Sequence, residues 1–228
     1  WVRSMNHERP VDLLEGPRHT IISGDPDGFD VALKAMASGS PMSAIDTLLD
    51  LNSLIDLACL DLYTGRADHD LNVRCWRSRA RGGRWRWILY DMDLWAPVEE
   101  NSVERMLTGS IDEAPFVPAL FADPFLRERL LIRITALLNT ALLPAHSGPI
   151  ADSLFNGNSA LMREDHERWK DTLTMPSPEA SIASLLDHIA RRPAILMEQL
   201  ARATDGRTAS CRLAVEPPGS GTLALEGL

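Results

Sequence analysis

The chain has 228 residues, a formal charge of −9, 45% hydrophobic and 24% charged residues, which is enough apolar material for a sizeable core in one large domain or one domain plus an appendage. Its acidic balance argues against bulk attraction to nucleic acid or to an anionic membrane surface, and no apolar run approaches the roughly 18 residues that a membrane-spanning helix needs. Cys59, Cys75 and Cys211 lack the paired spacing of a zinc site or disulfide framework, so they read as free thiols.

In chain order, residues 1 to about 28 are rich in Pro, Gly and charge and read as irregular, with Asp25-Pro26-Asp27-Gly28 as a turn signal. A short helix is predicted over Phe29 to Ala37, closed by Ser38-Gly39-Ser40-Pro41. One longer helix is predicted next, since Ile45, Leu48, Leu49, Leu51, Leu54, Ile55, Ala58 and Leu62 recur at helical spacing until Thr64-Gly65. The period then changes. Val73 and Cys75 alternate with Arg74 and Trp76, Arg79 to Gly83 supplies a turn, and Trp85, Trp87 and Leu89 alternate with Arg86, Ile88 and Tyr90. This pattern predicts a β-hairpin whose second strand ends at Asp91 and Asp93.

Residues 96 to 119 read as a long loop with one helical turn. Asp123-Pro124 is a helix start, a capping acid followed by Pro, and Leu126, Leu130, Ile134, Leu137, Leu138 and Ala141 keep one apolar face. A helix from Pro149 to Trp169 is predicted to be interrupted at Asn156-Gly157-Asn158, with Trp169 as a core anchor. The last helix runs from Pro178 to Ala203, kinked or restarted at Pro193. Beyond Asp205-Gly206 the composition shifts to strand, turn and strand, the opening of a β-rich appendage.

The chemistry-bearing residues cluster around the hairpin. Asp91 and Asp93 stand at a strand end, where carboxylates can share a hard cation such as Mg²⁺, whose remaining coordination goes to substrate phosphates. Asp68-His69-Asp70-Leu71-Asn72 precedes the first hairpin strand. In protein kinases a catalytic-loop Asp accepts the substrate hydroxyl proton, a following Asn binds a second metal, and a later Asp binds Mg²⁺. The order Asp68, Asn72, hairpin, Asp91 follows that logic.

The segments Thr64-Gly65…Asp68…Asn72-Val73-Arg74-Cys75-Trp76-Arg77 and Gly83-Arg84-Trp85-Arg86-Trp87-Ile88-Leu89-Tyr90-Asp91-Met92-Asp93 resemble the CotH kinase family, the spore-coat type of atypical protein kinase. Weaker likeness extends over residues 5 to 203, through Asn6-His7-Glu8-Arg9-Pro10, Arg168-Trp169 and Arg191-Arg192-Pro193. The resemblance implies an α+β fold, the helix-rich C-terminal lobe of a kinase-like domain over residues 1–204, with the central hairpin carrying the site and residues 205–228 as linker and appendage. It implies transfer of the ATP γ-phosphate to Ser or Thr of a protein substrate, with ATP and Mg²⁺ or Mn²⁺ as cofactors. Asp68 would be the catalytic base, Asp91, Asn72 and Asp93 metal ligands, and Glu8 a nucleotide-site residue near the lobe junction. It also implies an exported, cell-envelope or spore-coat setting.

Without a Gly-rich loop or small-lobe Lys–Glu pair, the chain is expected to be a fragment lacking most of its small lobe. Three residues, 69 to 71, separate Asp68 from Asn72, where the kinase template has four. A catalytically inactive, pseudokinase-like binding protein is therefore the alternative reading, and a metal-dependent phosphohydrolase using the same acids a third. Arg74, Arg77, Arg79, Arg81, Arg84 and Arg86 interleave with tryptophans as in some nucleic-acid binders, but in an acidic chain they read as the basic edge of a hairpin.

Overall fold

A computed structural model describes residues 10–16, 20–26, 28–40, 42–68, 71–108 and 116–206. Glu8, His69, Asp70, Cys211 and the expected strands of the appendage lie outside these residues. The fold is α+β: a four-stranded antiparallel sheet and, among the described residues, eight helices. The chain divides into two compact units, residues 1–96 with 100–134, and residues 97–99 with 135–228.

The first unit holds the sheet, ordered β2-β1-β3-β4. Strands β1 (Val11–Glu15) and β2 (Thr20–Ser23) lie where irregular structure is predicted. Their pairing overrides a composition rich in turn residues, because β1 lies between β2 and β3 (Arg74–Ser78) with Leu14 opposite Cys75 and Asp12 opposite Arg77. The predicted hairpin forms, with Cys75 opposite Trp87, but β4 is only Arg86–Trp87. Ile88 N–H still donates to the Arg74 carbonyl at 2.9 Å; beyond it the chain leaves the ladder, so Asp91 and Asp93 stand on irregular backbone and not at a strand end.

Helix α1 (Phe29–Ala37) forms as predicted. The single long helix predicted after it is two, α2 (Met42–Asp46) and α3 (Leu51–Thr64). The break has a cause in the sheet. Trp85 N–H donates to the Leu48 carbonyl and Asp50 N–H to the Trp85 carbonyl, both at 2.9 Å, which pins Leu49 in a bridge to Trp85 after a turn at the end of α2. Asp50 then caps α3 by accepting from Ser53 N–H at 3.3 Å, and the Ser53 hydroxyl accepts from Trp87 N–H at 2.9 Å. Aromatic edges fill the space beneath: Phe29 against Trp85 with centroids 5.0 Å apart, and Trp87 against Phe116 at 5.2 Å.

Between 96 and 119, where a loop with one helical turn is predicted, stand α4 (Ser102–Thr108) and the start of α5 (Phe116–Ala122). Helix α6 (Pro124–Asn139) starts as predicted, with Asp123 Oδ1 accepting from Leu126 N–H at 2.9 Å, and Leu126, Leu130 and Ile134 are buried.

The second unit contains α7 (Pro144–Trp169) and α8 (Pro178–Ala203). Helix α7 begins earlier than predicted and runs through Pro149 and Gly157 without a break. It buries no residue, and Trp169 is 43% exposed, so the predicted core anchor is a surface side chain. Helix α8 is likewise continuous across Pro193, capped by Ser177, and places Ile189, Leu196 and Leu200 in the core. Arg192 is buried beside them and donates to the Val98 carbonyl at 2.9 Å. Among the described residues no single helix is long and apolar enough to cross a membrane.

Candidate functional site

The site is built at the C-terminal end of α3. The helix stops at Gly65, which takes φ 60°, a left-handed conformation that glycine adopts without a Cβ penalty. A side chain there would also collide, since a Cβ would lie 2.9 Å from Ala96 Cβ and 2.9 Å from a Glu100 carboxylate oxygen. The chain leaves the helix into a tight turn in which the Asp68 carbonyl accepts from the N–H groups of Leu71 and Asn72, both at 3.0 Å. This turn swings Asn72 back over Asp68.

The structure brings three of the sequence-predicted residues together. Asn72 Nδ2 donates to Asp68 Oδ2 at 2.5 Å and to Asp91 Oδ2 at 2.9 Å. One amide thus bridges two carboxylates that are 23 residues apart in sequence (91 − 68). Asp91 has φ 53°, the left-handed region that Asp tolerates better than most residues; this turns its side chain back toward Asn72 after β4 has ended. Such outliers concentrate where surrounding structure over-determines the backbone, active sites among them. Asp93 is not part of the cluster: it is exposed, and its carbonyl accepts from Trp95 N–H at 3.3 Å. Glu8 lies outside the described residues.

Asp68 Oδ1 is buried with no hydrogen-bond partner. A buried carboxylate oxygen without a donor needs an explanation, and the hydroxyl of a bound acceptor would supply one. Beside it, the Asp91 carboxylate and the Asn72 amide suit a hard divalent ion that takes its remaining ligands from phosphate and water. Among the described residues no group of three or more His, Cys, Asp or Glu forms a cage by itself. The residues therefore fit a shared, phosphate-completed ion and not a closed protein site.

Two arginines that sequence reading passes over shape the surroundings. Arg66, 1% exposed, pairs with Asp61 of α3 and also reaches backbone on both sides of the site. Arg105 of α4 donates to the Gly65 carbonyl at 2.8 Å and pairs with Glu100. Burial pushes the Asp61 carboxyl up, to about 7, against the pull of Arg66. A lone arginine near an aspartate has no spacing signature, so only contacts reveal it. The hairpin arginines are largely neutralised within the fold: Arg77 and Arg79 pair with Asp12, Arg74 with Glu15, Arg84 with Asp46 and Arg86 with Asp50. The expected basic edge is thus a set of internal ion pairs. Cys59 and Cys75 are buried free thiols, as expected, and burial pushes the Cys59 thiol up to about 12.

No curated protein and no solved structure matches the chain. A family model does: CotH kinase protein, over residues 30–196. That span covers most of the chain and contains Asp68, Asn72 and Asp91, the residues the fold gathers at the end of α3. The chain belongs to the CotH kinase protein family.

Proposed function

We propose that this chain carries the metal-binding and acceptor-binding part of a protein kinase site, which transfers the γ-phosphate of ATP to a Ser or Thr hydroxyl of a protein. The observation that carries the reading is the Asn72 amide shared between the Asp68 and Asp91 carboxylates, in a chain of the CotH kinase family. Asp91 and Asn72 would hold the divalent ion, Asn72 through its amide oxygen. Asp68 orients the acceptor hydroxyl and takes its proton. The acceptor oxygen forms its bond to the γ-phosphorus as the bond from that phosphorus to the β–γ bridging oxygen breaks, and ADP leaves. Mg²⁺ or Mn²⁺ bound there would supply charge neutralisation at the phosphates. The protein's own contribution is position and fixed charge, with no covalent intermediate on the chain.

The test is incubation with γ-labelled ATP, Mg²⁺ or Mn²⁺ and a protein acceptor. Label is expected on Ser or Thr, and Asp91→Ala should reduce transfer by at least about 100-fold, the usual effect of removing one preorganised charge-stabilising group. Normal transfer by that variant would sink the assignment. Metal-dependent ATP binding without transfer to protein or water would favour the catalytically inactive reading, which the three-residue spacing between Asp68 and Asn72 motivates.

A further inference from the structure

The metal-binding segments are separate in sequence, and after Ile88 the strand ladder no longer joins them. Arg66 takes over that connection. Its Nε and Nη2 both lie 3.0 Å from Asp61 Oδ1, which fixes the guanidinium to α3. Its Nη1 then donates to the carbonyls of Asn72 and of Tyr90, each at 3.0 Å. Tyr90 immediately precedes Asp91, and its ring lies 3.7 Å from the Arg74 guanidinium. A single planar group thus grips helix α3, the backbone of Asn72 and the backbone leading into Asp91.

We infer that Arg66 is the positioning residue of the site, setting the separation of Asn72 and Asp91 through their backbones. The inference rests on the reading of Asp68, Asn72 and Asp91 as the metal and acceptor site. A buried ion pair by itself is weak grounds for stability, since apolar replacements of similar volume often serve as well. What no apolar side chain supplies is a pair of donors for carbonyls in two different segments. Lysine is no substitute, because its compact ammonium lacks the rigid fork that spans a carboxylate and two carbonyls. Arg105, donating to the Gly65 and Arg66 carbonyls at 2.8 and 3.3 Å, fixes the backbone from which Arg66 projects.

The test compares the full chain with the double variant Asp61→Leu/Arg66→Met, which removes both charges and leaves no orphaned carboxylate, and with Arg66→Lys. Hydrogen exchange is read at the Ala67 and Asn72 amides, bonded to the Leu94 and Asp68 carbonyls, and at the β1–β3 amides as an internal reference. Mn²⁺ affinity in the presence of ATP is read by spin-resonance titration. Both variants should exchange faster at Ala67 and Asn72 with β1–β3 unchanged, and should bind Mn²⁺ roughly 10- to 100-fold more weakly, the usual cost of removing an outer-shell partner. Unchanged local exchange, unchanged Mn²⁺ affinity, or full rescue by lysine overturns the inference. So does global loss of protection in both variants, which makes Arg66 a core residue only. If the unmodified chain binds no Mn²⁺, the metal-site reading fails while the exchange comparison still decides the backbone brace.

Discussion

Asp12 in the sheet and Asp61 on α3 are both buried carboxylates paired with arginine, at 1% and 5% exposure, yet their surroundings act in opposite directions. Around Asp12, burial raises the carboxyl pKa, but hydrogen bonds from Arg77 at 2.8 Å, Arg79 at 2.6 Å and the Asp25 N–H at 3.1 Å outweigh it and hold the group below its ordinary range. Around Asp61, burial wins, and the carboxyl rises to about 7: Arg66 and, more weakly, Arg105 oppose the rise, while the nearby Asp68 charge adds to it. Arg66 also directs the two N–H groups of Nη1 at two carbonyls of the site. The sheet region uses arginine to stabilise a carboxylate; the site region uses arginine to hold backbone. The number of donors aimed at an acid, and not its burial alone, decides which way it titrates.

The largest effect separating the two regions should come from truncation. Asp61→Ala leaves the 1%-exposed Arg66 charge without its counterion, for an expected loss of about 3–5 kcal/mol. Asp12→Ala should cost less, about 1–3 kcal/mol, because Arg77 and Arg79 are 22% and 44% exposed and can turn to water. Urea unfolding measures both, and equal losses would break the comparison.

Thermal unfolding against pH should show the same contrast with opposite signs. Asp12 has a depressed folded pKa, so its contribution is present above the ordinary carboxylate value of about 4 and lost as pH falls through the folded one. Asp61 has a raised folded pKa, so its contribution is full below about 4 and lost as pH rises through about 7. Asp12→Asn should flatten the acid limb and Asp61→Asn the limb between. Profiles that keep both limbs in both variants would refute the assignment of these groups.

The smallest effect sharpens the comparison on a single helix. Asp56 pairs with Arg133 at 2.6 Å, but the two side chains are 46% and 38% exposed. Asp56→Ala should therefore change stability by no more than about 1 kcal/mol. A loss as large as that of Asp61→Ala would mean that burial is not what distinguishes the pairs on α3.

Several elements were legible because their signals are local. Asp123-Pro124 caps and opens α6 from residues adjacent in sequence, and the alternation of Arg74 to Trp87 gives the β3–β4 hairpin whatever surrounds it. Strand β1 was not legible, since its five residues acquire their conformation from pairing with β3 some 60 positions later. Helix α3 was joined to α2 for a related reason: the apolar period continues through Leu48 and Leu49, and only backbone bonds to Trp85 break it. Helix α7 shows the converse, a periodic apolar pattern, with Leu154 and Leu161 among its members, that the fold leaves 63% and 67% exposed.

The sequence by itself determined the α+β class and the family, and it singled out Asp68, Asn72 and Asp91 as candidates, because a short motif with fixed order survives any detail of packing. Tertiary structure alone decided that Asn72 bridges both carboxylates and that Asp93 stands outside. It also decided that the backbone of the site is held by Arg66 and Arg105. The physical reason is range. Capping and alternation act between near neighbours, whereas a guanidinium that gathers carbonyls from residues 72 and 90 acquires its role only when the fold has brought them within 3.0 Å of one group.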